Sequence, residues 1–471
     1  MSRFFEFGTW IALWLTLAGS SASAQDPQEQ KLDRQFQTAV AFYEAGHYSD
    51  ASAQLETLLP YARTSFEIHE LLGLCYAAQS QDAKAIQQLE IAVRLKPDSA
   101  TAHTNFAASL VHAGKSDLAA EQFRKAVTLA PQDYEANHNL GEFYIQSGKV
   151  PEALPLLEKA QAVDPTSYDN GYDLALAKLL TGKLAEARTL VQTILKQKNT
   201  GELHNLLGQI EEKDGKYVEA VNEFEAAAHL DPSEDNLFDW GGELMLHRTY
   251  EPAIAVFQQG TQRYPKSPRL MTGYGMALDL LGKYDEAVKA LLAAADLDPS
   301  DPRCYLYLSK AYDSSPNQAD EVIQRFRRYA EIEPNLALAQ YYYAMSLWKG
   351  KRGQDTNLDL NAVEALLQKA IALDSNLPEA QVELGNFYAD QKLYAKSVPF
   401  YKRALELNPN LPDAHFRLGQ DYVHMGQKDQ AQAEFDEYQK LRTAHLAEVE
   451  KEASEVQQFV YAGKTSSTTK P

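Results

Sequence analysis

The chain has 471 residues, 45% of them hydrophobic and 23% charged, an ordinary globular balance that excludes disorder as its ground state and suits several domains or one extended repeat array. Asp and Glu number 65 against 45 Lys and Arg, and the formal net charge of -20 opposes any broad electrostatic grip on nucleic acid or anionic lipid. Two cysteines, Cys75 and Cys304, exclude a disulfide framework in a chain this long; each falls inside a predicted helix and reads as a buried small hydrophobe.

At the N-terminus, Arg3 precedes an apolar stretch from Trp10 to Ala18 and the small residues Ala22-Ser23-Ala24 before Gln25. This pattern predicts a secretory signal peptide over residues 1–24, a short leader at 25–31, and an exported, soluble protein that is periplasmic or secreted. Leu17-Ala18-Gly19 ends in Ser20, where a bacterial lipoprotein box needs the lipidated cysteine, so anchoring by that route is not expected. No later segment reaches the roughly 20 apolar residues of a transmembrane helix.

Beyond the leader one period governs the chain. Prolines that follow an apolar-polar pair stand at 97, 131, 165, 232, 265, 299, 334 and 409, with Asn199 and Ser375 in the two missing places, a spacing near 34 residues. With that proline as slot 32, twelve units begin at residues 32, 66, 100, 134, 168, 201, 234, 268, 302, 337, 378 and 412. Slot 8 is always small, as in Gly73, Ala107, Gly141 and Gly385. Slot 20 is alanine in nine units, with Val322, Val363 and Ser397 in the others. Large apolar residues fill slot 7 (Leu72, Phe106, Leu140) and slot 24 (Leu89, Phe123, Leu157, Phe224, Phe257). Small residues at mid-helix let two antiparallel helices approach closely while large ones fill the flanks. Gly-Lys pairs at 114, 148, 182, 215 and 282 mark the turn inside each unit, and the proline ends the second helix.

This pattern resembles the tetratricopeptide repeat, in which Leu-Gly and a later Tyr on one helix are followed by Ala-x-x-x-Phe and a closing proline on the next. The resemblance covers residues 32–445. It implies an all-α helix-turn-helix solenoid, a right-handed superhelix of about twelve repeats, with first helices lining a concave surface that serves as a scaffold for proteins or peptides.

Two segments depart from the period. Unit ten carries extra residues from Lys349 to Asn361, read as a solvated loop or as a decoration of the binding face. Leu446, Val449, Ala453, Val456 and Val460 continue a helical spacing, which predicts a capping helix at 446–463 or a short partner-binding stripe. Residues 464–471 read as a disordered tail.

No catalytic constellation is present, and neither a cofactor nor a metal is expected; the chain does not read as an enzyme. His69, His103, His204 and His415 share slot 4, so their recurrence reflects the repeat. Asp and Glu recur at slot 2, where the helix dipole favours them.

The groove slots of the resembled family select two clusters. Asn105 and Asn139 at slot 6, followed by Asp173, look like part of an asparagine ladder that holds an extended peptide backbone. Arg269, Arg303, Tyr307, Lys310, Tyr341, Tyr342 and Trp348 form an aromatic and basic group suited to an acidic peptide or to a sugar face. Tyr343, at slot 7, is assigned to the core. The primary reading is a non-enzymatic scaffold outside the cytoplasm that binds a protein or peptide; the alternative is a carbohydrate-binding accessory of envelope polysaccharide assembly or export.

Overall fold

The computed structural model describes residues 27–315, 318–350 and 359–446. The signal peptide, most of the unit-ten insertion, the capping helix beyond residue 446 and the tail lie outside these residues. Cα packing divides the chain at residue 199 into two units.

The first unit holds five helix pairs: α1 (Pro27–Glu44) with α2 (Tyr48–Leu58), α3 (Phe66–Ala78) with α4 (Asp82–Leu95), α5 (Ala100–His112) with α6 (Ser116–Leu129), α7 (Tyr134–Gln146) with α8 (Val150–Val163), and α9 (Tyr168–Leu180) with α10 (Leu184–Leu195). Its first helix starts at Pro27, inside the residues read as a leader. In the second unit α11 (Gly201–Lys213) pairs with α12 (Tyr217–Leu230), α13 (Glu234–Leu246) with α14 (Tyr250–Arg263), α15 (Pro268–Leu280) with α16 (Tyr284–Leu297), and α17 (Pro302–Ser314) with α18 (Ala319–Ile332). The same unit continues with α19 (Ala337–Gly350) and α20 (Leu360–Leu373), α21 (Pro378–Asp390) and α22 (Tyr394–Leu407), and α23 (Pro412–His424) followed by helical residues 428–446. Each unit is thus an all-α solenoid of helix-turn-helix repeats.

Local chemistry starts and stops these helices. The side chains of Ser65, Ser99, Asp133, Ser167, Thr200, Ser233 and Ser267 each accept the backbone N–H three residues on, satisfying a donor that the first turn leaves without a partner. Pro378 and Pro412 open α21 and α23 instead, where the fixed φ suits a helix start. Between the helices of a pair the backbone enters the left-handed region at one recurring place. Glycine takes it in seven repeats, but Ser80, Arg248 and Lys392 take it in three, with φ of 57°, 57° and 61°. That conformation crowds a Cβ, so Lys392→Gly is expected to be neutral or to stabilise by up to about 1 kcal/mol, read from the urea midpoint.

The core of each pair is a small residue receiving a large one. A Cβ added at Gly73 would stand 2.5 Å from Leu89 Cγ, one at Gly141 2.6 Å from Leu157 Cδ2, one at Gly208 2.9 Å from Phe224 Cε1, and one at Gly385 2.7 Å from Tyr401 Cε1. Slot 8 therefore meets slot 24, and where slot 8 is alanine, as at Ala39, Ala107 and Ala175, the side chain is wholly buried. Cys75 and Cys304 are buried free thiols, and burial pushes both up to about 12. Among the described residues no helix is long and apolar enough to cross a membrane.

Candidate functional site

Within each unit the first helices of successive repeats touch, as α3 does α5, α5 does α7, α7 does α9, α13 does α15 and α15 does α17. Among the described residues, α16 and α18 are the second helices that approach comparably. A stack whose first helices crowd and whose second helices spread is concave on the first-helix side, where the resemblance to the tetratricopeptide repeat puts slots 2, 5, 6, 9, 12 and 13 on the inner wall.

In the first unit the asparagine pair lies half-buried on that wall, and each amide already has a carboxylate partner. Asn105 Nδ2 donates to Glu70 Oε1 at 3.2 Å, one repeat back, while Asn139 Nδ2 donates to Glu135 O at 2.7 Å and Glu135 Oε2 at 3.3 Å within its own helix. Asp173 lies further along, with an oxygen 4.0 Å from His138 Nδ1.

The basic and aromatic group of the second unit is distributed differently from expectation. Tyr342 and Trp348 are corrected from groove to core: they are 6% and 5% exposed. The Tyr342 ring packs 5.7 Å from that of Phe326 on the preceding repeat, and Trp348 sets against Phe387 of the following one, also at 5.7 Å. Rings this large reach across the gap between repeats and fill it. Tyr341 is half-buried at the meeting of three apolar clusters, where burial holds its hydroxyl well above the usual range. Tyr343, assigned to the core, is only half-buried at its edge.

The cations are largely neutralised from within. Arg269 donates to Asp235 at 2.6 Å and to Asp239 at 3.4 Å, with its guanidinium 3.8 Å from the Phe238 ring centre. Arg303 forks onto both oxygens of Asp301, the residue that caps its own helix. Lys349 bridges Asp313 at 3.0 Å and Glu383 at 3.8 Å. Lys310 is exposed, with its ammonium 5.1 Å from the centre of the half-buried Tyr307 ring.

Five first-helix carboxylates share an electrostatic direction that slot 2 alone did not disclose. Burial raises Glu70 to about 7, and burial likewise raises Glu135, Glu212, Asp239 and Asp279. All five occupy inner-wall slots of first helices. Elsewhere the direction differs from place to place: a hydrogen bond from Thr166 lowers Asp164, one from Lys178 lowers Glu186 and one from Arg325 lowers Asp296, whereas burial raises Asp421. Desolvation outweighs the nearby cations at these positions, Arg269 beside Asp239 and Lys310 near Asp279 included, so each carboxylate gains by meeting further positive charge. Reading slots 5 and 12 for acids, as slot 2 was read, would have found Glu70, Glu212 and Asp279.

The recurrent histidines are structural. Nδ1 of His69, His103, His204 and His415 lies 2.5 to 2.7 Å from a slot-23 Gln or Glu on the second helix. Nε2 of His69, His103 and His415 faces the carbonyl that closes the preceding repeat, at Arg63, Pro97 and Pro409. Where slot 4 is not histidine, Asn137, Tyr305 and Gln340 donate to the same kind of carbonyl, at Pro131, Pro299 and Pro334.

Comparison with known proteins agrees with this architecture. Models described as Tetratricopeptide repeat match residues 36–100, 104–168, 145–210, 243–302, 378–411 and 400–433, together more than half of the chain. The TPR repeat-containing protein YpiA of Bacillus subtilis (strain 168) is 25% identical over 236 residues, 49% of this chain and 53% of its own length, so the chain spans about half of that curated relative. Two solved structures are also similar. A tetratricopeptide repeat protein from Parabacteroides merdae has a TM-score of 0.41 at 16% identity, over 50% of this chain and 93% of its own. The pilF protein of Pseudomonas aeruginosa has a TM-score of 0.38 at 22% identity, over 44% and 94%. The slot-8 and slot-24 packing, the paired helices and the matched segments place this chain in the tetratricopeptide repeat family.

Proposed function

We propose that this chain is an exported scaffold that holds a basic segment of a protein partner against the inner wall of its first helices. The tetratricopeptide repeat fold generally mediates protein–protein interaction through its concave groove, and the architecture is that of a non-enzymatic scaffold. The observation that carries the choice of partner charge is the set of desolvated carboxylates on the first helices of each unit, Glu70 and Glu135 in the first and Glu212, Asp239 and Asp279 in the second, where Arg269, Arg303 and Lys349 are already committed to acids of the chain itself. Asn105 and Asn139 stand beside two of these acids and offer backbone-binding amides once a ligand takes over the carboxylates. Export rests on the signal-peptide pattern of residues 1–24, and N-terminal sequencing of protein recovered from outside the cytoplasm is expected to begin at Gln25.

Fluorescence anisotropy with Lys/Arg-rich and Asp/Glu-rich peptides of equal length tests the reading. The basic peptide is expected to bind more tightly, with affinity falling as salt rises. Glu70→Gln combined with Glu135→Gln should weaken it about tenfold or more, as expected for removing two partly desolvated charges. Preference for the acidic peptide overturns the charge assignment. The glycan alternative drew on Arg269, Arg303, Tyr307, Lys310, Tyr341, Tyr342 and Trp348, and the burial of Tyr342 and Trp348 favours the peptide reading over it.

A further inference from the structure

On the inner wall of the first unit, His138 and Glu142 stand one turn apart on α7 and face Asp173 of α9. One potential ligand atom from each lies within 4.8 Å of the other two. The His138 and Asp173 side chains are each only 13% exposed, and His138 Nδ1 lies 4.0 Å from Asp173 Oδ2.

The histidine is held from behind. Its Nδ1 lies 3.3 Å from Oδ1 of Asn170, a wholly buried residue whose amide is locked by donating to Leu157 O at 3.0 Å and Gln161 Oε1 at 2.8 Å. With that amide fixed, its oxygen faces the ring, so the Nδ1–H tautomer is favoured and Nε2 keeps the lone pair. A backing acceptor of this kind orients metal-binding imidazoles. Tyr134 stacks on the same ring at 5.5 Å, and Gln146 donates to Glu142 Oε1 at 3.0 Å.

We infer that His138, Glu142 and Asp173 bind a divalent transition-metal ion, with zinc as the reference case. A cation bonded at about 2.1 Å to each ligand holds the ligand atoms about 3.4 Å apart, so the side chains need draw inward by only about 1 Å. Two carboxylates and a neutral imidazole balance a 2+ charge, and the imidazole selects zinc, cobalt or nickel over magnesium and calcium. Three protein ligands leave a coordination position open toward the groove. This inference does not depend on the charge of the peptide partner.

The test is titration of the full chain with Co2+, followed by visible absorption, and then displacement by Zn2+. One equivalent is expected to bind, with millimolar Ca2+ and Mg2+ failing to compete. His138→Gln and Asp173→Asn should each weaken binding about tenfold or more, with circular dichroism confirming the helices. Absence of stoichiometric binding, binding unchanged in both variants, or equal competition by Ca2+ overturns the assignment. Imidazole 15N spectra of the unsubstituted chain give a readout that needs no variant: Zn2+ should move His138 and leave His69 and His103 in place, and the opposite pattern overturns it.

Discussion

Phe257→Ala is expected to lower the unfolding free energy of the second unit by about 3–5 kcal/mol, the range for emptying a buried aromatic site. The ring is wholly buried and gripped from two repeats at once. A Cβ at Gly241, on the partner helix, would stand 2.7 Å from its Cζ, and a Cβ at Gly273, on the next repeat, 2.6 Å from its Cε1. The complementary substitutions Gly241→Val and Gly273→Val should each cost about 1–3 kcal/mol through overpacking. A cycle pairing Gly241→Ala with Phe257→Leu separates packing from helix propensity. The double variant should recover about 1 kcal/mol relative to the sum of the singles, and strict additivity of the urea-unfolding energies would contradict the contact.

The second large effect is one of pH. Burial, partly offset by the Asn105 hydrogen bond and by Lys96, raises Glu70 from 4.5 to about 7 in the folded chain. Below about pH 4.5 the carboxyl is neutral folded and unfolded, so it costs nothing. Between 4.5 and 7 the unfolded chain releases a proton that the folded one keeps, and stability declines; above 7 the loss is complete. Allowing for partial solvent screening, that loss is about 2–3 kcal/mol. Glu70→Gln should therefore be more stable than the parent at pH 8 by about this amount, with the difference vanishing below about pH 4.5. Urea unfolding of both proteins at pH 4.5, 6 and 8 measures it, and a gain that does not vary with pH would place its origin elsewhere.

The architecture was legible because one physical requirement recurs in the same place. A large slot-24 side chain needs a small slot-8 partner, and seeing Gly73, Gly141, Gly208 and Gly385 at matched intervals reveals the pairing before any coordinates do. The candidate groove was less legible. Slot numbers locate a Cα on a helix face but not the reach of the side chain, so Tyr342 and Trp348, placed on the groove, instead span to Phe326 and Phe387. The charges were misjudged for a related reason. Arg269 with Asp235, Lys349 with Glu383 and Asn105 with Glu70 are separated by about one repeat length, so residues distant along the chain become neighbours on the wall. Counting basic residues alone overstates the positive character of units eight to ten.

The slot-4 bond to the preceding repeat's closing carbonyl makes the modules interchangeable at their seams. If residues 100–133 were excised, Asn137 would inherit the Pro97 carbonyl that His103 now serves, and donor and acceptor would still correspond. Lengthening or shortening such a chain by whole modules calls for no new joint, only another copy of the old one, so its reach along a partner can change while every remaining junction keeps its chemistry.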